Sequence, residues 1–245
     1  MPSIDRDRAL PTANGPVQRL ARVVAVVGCD GAGKSTLCAD LIREFGRTGR
    51  VEFCYLGQSS GNIAAMIRSW PLIGPAFGRY LLRKSARAHQ QESRAPDALT
   101  ALVIHLLSLW RAHKFRRVLA RDRRGVVVIV DRYPQAEVPG FYFDGPGIDP
   151  RRPGGWWLRW LTGRELRLYR WMASHVPALV IRLDIDAASA HARKPDHRLA
   201  MLQDKVRVIP GLRFGGAKLL ALDASAAYSE VLAGARRALT PIIDG

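Results

Sequence analysis

Residues 28–36 have the sequence Gly28-Cys29-Asp30-Gly31-Ala32-Gly33-Lys34-Ser35-Thr36, which matches the phosphate-binding pattern G-x-x-x-x-G-K-[ST]. An unbroken apolar run at residues 23–27 precedes it, and apolar residues recur at helical spacing after it. The stretch therefore lies at a predicted strand-to-helix turn, the context that a phosphate-binding loop requires. Glycines let successive backbone N–H groups face a polyphosphate, and the helix N-terminus adds partial positive charge. We expect this phosphate loop to bind a nucleoside triphosphate.

Two side chains of the phosphate loop have predicted roles. Lys34 would reach the outer phosphates, and Ser35 would bind Mg²⁺. A glycine-rich turn that binds nothing is the alternative, but the strand before the loop and the helix after it favour the nucleotide site.

Length and composition favour one α/β domain with room for a lid or an insertion, because 245 residues that are 48% hydrophobic can bury a sizeable core. The formal net charge of +17 comes mostly from arginine. Such a surface attracts polyanions, so nucleotides, nucleic acids and anionic membranes all stay candidate partners. A coding bias toward arginine explains the charge equally well.

The cysteine pattern and the N-terminus point to a reducing, cytoplasmic location. Cys29, Cys38 and Cys54 lack C-x-x-C spacing, which argues against a disulfide framework and a zinc site. The first twenty residues are polar, unlike a signal peptide, and no apolar run approaches the length of a membrane span.

The chain is expected to have a mobile tail at residues 1–19 and one domain at residues 20–245. The predicted strands are residues 23–27, 51–56, 126–130, 178–184 and 217–222. Predicted helices follow the phosphate loop and cover residues 63–70, 77–87, 96–121, 156–174, 187–193, 199–208 and 226–239. This alternation predicts a five-stranded parallel sheet with helices on both faces. The segment 134–175 is interpreted as a functional insertion because the loop at residues 135–155 is too long for a simple connection.

Polar residues follow the predicted strands where a parallel sheet places its ligands, beyond the carboxyl ends. Asp131 could hold a magnesium-bound water or orient an attacking oxygen, and Arg132 could clamp a phosphate. A polar strand end without a function is the alternative. Arg193, with Lys194 and Arg198 nearby, could place positive charge over a transferred phosphoryl group, or these residues could form a solvated helix end.

With these motifs, the chain resembles the thymidylate kinase group of P-loop nucleoside monophosphate kinases over about residues 21–240. Its phosphate loop carries Asp30 before the second glycine, and a later strand ends in Asp131-Arg132-Tyr133. Arg111-Ala112-His113 resembles the arginine segment that contacts the acceptor nucleotide, and Arg68 more loosely resembles the acceptor-phosphate arginine. Residues 183–186 with Arg193 look like the start of the lid, and Asp223-Ala224-Ser225 looks like the turn beside the adenine.

The resemblance implies a three-layer P-loop NTPase fold with a lid at about residues 193–210, and it implies ATP and Mg²⁺ as cofactors. The implied catalytic residues are Lys34, Asp131, Arg132 and Arg193, and the implied metal-binding residues are Ser35 and Asp131. The implied ATP-binding residues are Gly28, Asp30, Gly31, Ala32, Gly33, Lys34, Ser35, Thr36 and Ala224. The implied acceptor-binding residues are Asp30, Arg68, Arg111, Arg132 and Tyr133.

The sequence departs from the family after Tyr133. Members that phosphorylate thymidylate have a serine there and an Ala-Tyr-Gln segment that reads thymine, whereas this chain has Pro134-Gln135-Ala136-Glu137-Val138-Pro139-Gly140 and then an aromatic loop. The resemblance therefore favours ATP-dependent phosphoryl transfer more firmly than it favours thymidylate as the acceptor.

The protein is predicted to be an ATP-dependent phosphotransferase. It would move the γ-phosphoryl group to a nucleoside monophosphate similar to dTMP, or to another phosphate-bearing small molecule. Two alternatives stay open: a P-loop kinase of the same fold with a non-nucleotide acceptor at a membrane surface, and an ATPase that binds nucleic acid under the control of ATP as a switch. The chain shows no recognition helix or RNA-stacking motif, which counts against nucleic acid. An inactive relative is disfavoured because Lys34 and Ser35 are intact. A homodimer is compatible with the sequence.

The helix predicted from Trp156 also raises the question of membrane contact. It combines tryptophans with Arg159, Arg164, Arg167 and Arg170, a composition found in membrane-surface helices. The favoured interpretation is that its apolar residues cover the sheet and that its arginines are solvated.

Overall fold

A computed structural model describes residues 10, 16–46, 50–57, 98–151 and 154–245. The two helices predicted at residues 63–70 and 77–87, together with Arg68, lie outside the described residues.

Five parallel strands form the central sheet. They are β2 (Val23–Gly28), β3 (Val51–Tyr55), β4 (Val127–Asp131), β6 (Leu179–Asp184) and β7 (Leu219–Asp223), in the spatial order β3-β4-β2-β6-β7. The β-branched runs of β2 and β4 are buried on both faces, as a covered parallel sheet requires. The predicted five-stranded parallel sheet is confirmed, with strand ends shifted by one or two residues.

Six helices are described. They are α1 (Lys34–Phe45), α2 (Ala98–Arg123), α3 (Trp156–Ala173), α4 (Ala187–Arg193), α5 (Leu199–Val208) and α6 (Tyr228–Asp244), with 3-10 turns at Phe141–Phe143 and Ile209–Gly211. Helix α6 continues past the predicted end at residue 239 and contains Pro241.

Helices cover both faces of the sheet, as predicted. Along β2, alternate side chains point to opposite faces because the side-chain period of a strand is two. Ala25 packs with Phe115 of α2 and Met172 of α3, whereas Val26 packs with Leu37 of α1 and Leu239 of α6. The sheet is therefore the middle of three layers, with one hydrophobic core on each side.

A second, two-stranded sheet was not predicted. Strand β1 (Gln18–Arg19) pairs in parallel with β5 (His175–Val176), although residues 1–19 were expected to form a tail. Leu10 is also buried, and its N–H donates to the Glu137 carbonyl at 2.7 Å. Two-residue strands are too short to leave a periodic signal in the sequence, so this pairing could not be foreseen.

Within the part of the chain that the structure describes, no helix is long and apolar enough to cross a membrane.

Candidate functional site

The candidate site lies at the carboxyl edge of the sheet, where β2 runs into the phosphate loop and α1 begins at Lys34. Gly31 and Gly33 have φ values of +85° and +88°, which glycine adopts without strain. A Cβ on Gly31 would also lie 2.7 Å from the carbonyl oxygen of Ala190 in α4. The loop sequence is therefore required both for its own turn and for the close approach of α4. Ser35 and Thr36 are exposed on the first turn of α1.

Lys34 is buried at the base of the phosphate loop. Its ammonium donates to the carbonyl oxygens of Gly28 at 3.0 Å and Cys29 at 2.8 Å. Burial lowers the pKa of Lys34, the charge of Arg132 lowers it further, and Asp30 and Asp131 oppose the shift. Because an ammonium has three N–H donors, these two bonds leave one donor for a ligand.

Asp30 is the hub of an ionic cluster. Its Oδ1 accepts from Arg132 Nη2 at 2.7 Å, its Oδ2 accepts from Lys205 Nζ, and His197 Nδ1 lies 3.6 Å from Oδ2. Burial raises the pKa of this carboxyl group, but the charges of Lys205, Arg132 and Lys34 outweigh burial and hold the pKa far below its usual range. Asp30 is therefore ionised and fixed in place.

Asp131 ends β4 next to β2, in register with Val26. It is buried, and its Oδ1 has no hydrogen-bond partner among the described residues. Burial raises the pKa of Asp131, while Lys34 and Arg132 lower it. A buried carboxylate oxygen without a partner is costly unless something else contacts it, so this atom is available to a ligand.

Arg132 is held in a left-handed backbone conformation, with φ of +65°. Arg111, from α2, donates from Nη2 to the Arg132 carbonyl at 2.6 Å and to Asp144 Oδ1 at 3.0 Å. Its Nη1 lies 3.4 Å from the Tyr169 hydroxyl. Arg111 is only 1% exposed. The structure thus shows Arg111 as a support for Arg132 and for the following loop, and its predicted contact with an acceptor stays a prediction.

Tyr133 points away from these residues. Its ring packs edge-on against Phe115, and its hydroxyl donates to the His175 carbonyl at 2.6 Å. The structure therefore brings Asp131 and Arg132 to the phosphate loop, but it places the side chain of Tyr133 in the core.

Arg193 connects the phosphate loop with the turn after β7. It ends α4, and its guanidinium donates to the carbonyl oxygens of Gly31 at 3.4 Å and Ala224 at 3.1 Å. The predicted ATP-binding residue Ala224 is thereby joined to the loop. The predicted lid segment, residues 193–210, comprises the end of α4, a connection, all of α5 and the start of the following 3-10 turn. It contacts the phosphate loop through Lys205 as well.

A cavity of about 330 Å³ adjoins this turn. Its lining includes Cys29, Asp184, Lys205, Pro210 and Ser225. Its volume falls in the range of small-molecule sites.

The loop at residues 135–155 is held by buried polar side chains. Gln135 donates to the carbonyl oxygens of Val138 and Phe143 and accepts from the N–H groups of Glu137 and Val138. Glu165 of α3 accepts from Ser108 and from the N–H groups of Gly147 and Ile148. Residues 135–148 of this loop are therefore held in place next to Arg132, which Arg111 joins to Asp144.

Lys114 covers the carboxyl end of β3. Its ammonium donates to the carbonyl oxygens of Tyr55 at 3.0 Å and Gly57 at 3.1 Å. Burial and the charge of Arg111 lower the pKa of Lys114 to about 8, against a weaker opposing effect of Cys54.

Sequence reasoning missed Lys205, Lys114 and Glu165. Lys205 had a usable signal, because it shares the inward face of α5 with Leu202 and Val208, where an unpaired lysine would be costly. A charged residue at a core position indicates a partner elsewhere in the chain, but the sequence does not show that the partner is Asp30.

No model of a known protein family matches. The chain is 53% identical over 218 residues to the uncharacterized ATP-binding protein YghS of Escherichia coli K12, a match that covers 89% of this chain and 92% of YghS. It is 43% identical over 218 residues to the uncharacterized ATP-binding protein YghR of the same strain, covering 89% of this chain and 86% of YghR.

Proposed function

Because this chain belongs to the family of ATP-binding proteins that includes YghS and YghR, we propose that it binds ATP at the phosphate loop and transfers the γ-phosphoryl group to a phosphate-bearing small molecule. The observation that carries the proposal is the position of Asp131, a buried carboxylate beside the loop lysine, whose Oδ1 has no hydrogen-bond partner in the part of the chain that the structure describes. A P-loop fold accounts for the sheet, the loop and this carboxylate together.

The ATP phosphates would lie against the backbone N–H groups of the loop, with the third donor of Lys34 directed to the outer phosphates. The turn at Ala224, joined to the loop by Arg193, is the proposed wall for the adenine. Arg193 would then carry positive charge toward the transferred group.

Ser35 and Asp131 fit the role of magnesium residues. Among the described residues no group of three or more His, Cys, Asp or Glu side chains could hold a metal ion. Mg²⁺ suits such a sparse site because it keeps several waters and takes its other ligands from substrate phosphates. When bound, Mg²⁺ would supply charge neutralisation on the phosphates.

The transfer step is a displacement at phosphorus. An acceptor oxygen forms a bond to the γ-phosphorus, the bond from that phosphorus to the β–γ bridging oxygen breaks, and ADP leaves with the electron pair. Arg132, fixed by Asp30 and supported by Arg111, would align the acceptor phosphate. No thymine-reading segment supports dTMP as that acceptor.

An acceptor panel tests the proposal. The full chain is incubated with Mg-ATP and separate nucleoside monophosphates, sugar phosphates and phospholipid headgroup phosphates, and mass spectrometry follows the gain of one phosphoryl group. We expect one class to gain mass with matching ADP release, and Lys34→Ala to abolish both. Lys218→Ala is the matched control because Lys218 is exposed and directly precedes β7, at the end of that strand opposite the candidate site. If no compound gains mass and none raises ADP release above that in water, the proposed transfer is wrong.

A further inference from the structure

Helix α3 exposes three neighbouring tryptophans at its N-terminus. Trp156, Trp157 and Trp160 are 73%, 36% and 45% exposed, and we call them the tryptophan surface. The rings of Trp157 and Trp160 stack with centroids 5.0 Å apart, and Trp156 meets Trp157 edge-on at 5.9 Å. The sequence-based interpretation, that the apolar residues of this helix cover the sheet, holds for Met172 but is wrong for this surface, and Leu161 packs against Ala101 and Ile104 of α2 instead. Clustered exposed apolar groups mark interaction sites.

The same exposed side of α3 is strongly basic. Arg159, Arg164 and Arg167 are exposed, and the Arg164 guanidinium lies 4.9 Å from the centroid of the Trp160 ring. The one acidic residue of α3, Glu165, is buried against α2. The surface therefore combines indole rings with positive charge and no exposed carboxylate from its own helix.

The tryptophan surface lies toward the carboxyl edge of the sheet. Helices α2 and α3 run side by side in the same direction, because Ser108 contacts Glu165 and Arg111 contacts Tyr169. Arg111 is already level with Arg132 at the end of β4. The part of α3 that precedes Tyr169 therefore extends beyond that edge, on the side where the candidate site lies.

We propose that the tryptophan surface and its arginines dock the protein on an anionic lipid bilayer. Tryptophan prefers the membrane–water interface, where its ring is apolar and its N–H stays hydrated, and arginines next to it pair with lipid phosphates. The charge of the whole chain, +17, has the sign that anionic lipids attract. This proposal does not depend on the proposed phosphoryl transfer.

Two other occupants fit the surface less well. Single-stranded nucleic acid needs free ring faces for stacking, but Trp157 and Trp160 stack on each other and Arg164 covers Trp160. A second copy of the chain, related by a two-fold axis, would set the same arginines against each other.

The test is flotation of the full chain with vesicles of phosphatidylcholine, with and without phosphatidylglycerol, in the absence of nucleotide. We expect binding only to the anionic vesicles, with a blue shift of tryptophan fluorescence and quenching by brominated lipid. Trp156→Ala with Trp160→Ala should weaken binding by roughly tenfold or more, and Arg164→Glu with Arg167→Glu should do the same. Arg123→Glu with Arg124→Glu is the charge-matched control on exposed residues at the other edge of the sheet, and we expect it to retain most of the binding.

Thermal unfolding by circular dichroism establishes that each variant is folded. The proposal is overturned if the wild type does not float with anionic vesicles, or if both α3 variants bind as the wild type does. It is also overturned if the tryptophans instead mediate binding of a single-stranded oligonucleotide or concentration-dependent self-association without lipid.

Discussion

Arg111 Nη2 donates to the backbone carbonyl oxygen of Arg132 at 2.6 Å, which joins a fully buried guanidinium to a residue with a φ of +65°. A left-handed conformation costs an arginine on the order of 1 kcal/mol. Arg111 offsets this cost with hydrogen bonds, and its ion pair with Asp144 fixes the next loop in the same place. The Arg132 side chain, which donates to Asp30, is therefore positioned by Arg111 of α2.

Replacement of Arg111 tests this support. Arg111→Met should lower the free energy of unfolding by about 3 kcal/mol, because it leaves Asp144 and the Arg132 carbonyl without their partner. Urea unfolding measures the change. Arg117→Met, at an exposed position of the same helix, should change stability by less than about 0.5 kcal/mol. An equal loss of stability in Arg111→Met and Arg117→Met would show that Arg111 does not support Arg132 and Asp144.

The ion pair of Lys205 with Asp30 predicts strong energetic coupling between α5 and the phosphate loop. Lys205→Met should cost about 3 kcal/mol because it removes one partner of a buried pair, and the double change with Asp30→Asn should cost less than the sum of the single changes. Chemical denaturation of all four proteins gives the coupling. Lys194→Met, exposed at the end of α4, provides the control and should be close to neutral. If the effects of the two substitutions on the free energy of unfolding simply add, the ion pair between Lys205 and Asp30 is contradicted.

Lys114 should titrate far below an ordinary lysine. Its pKa of about 8 lies below the usual 10.5, so between these values the unfolded chain holds more protons than the folded chain. The buried charge of Lys114 therefore lowers the free energy of unfolding by its full amount below about pH 8. This loss of stability disappears as the pH rises toward 10.5.

Carbon-13 NMR of labelled lysine measures this titration, and the signal lost in Lys114→Arg identifies the residue. We expect a midpoint near pH 8 for that signal. A midpoint above pH 10 would show that the ammonium of Lys114 is not buried against Tyr55 and Gly57 as described.

The sheet could be predicted from the sequence because strands such as residues 126–130 are unbroken β-branched runs. The phosphate loop could be predicted because its glycines and lysine have fixed spacing. The convergence of Asp131 and Arg132 on that loop followed from the rule that parallel strands end at one edge. Lys205 and Arg111 could not be placed, because their partners are 175 and 21 residues away along the chain and only the packing of helices brings them together. The direction of Tyr133 was missed for the same reason.

The most direct test of the nucleotide site is calorimetric titration of Mg-ATP into the wild type, Lys34→Ala and the surface control Lys218→Ala. We expect one site per chain in the wild type and in the control, and an affinity at least about tenfold weaker, or about 1.4 kcal/mol, for Lys34→Ala. Equal affinity of Mg-ATP for wild type and Lys34→Ala, or no heat of binding in the wild type, would contradict the assignment of residues 28–36 as the ATP site.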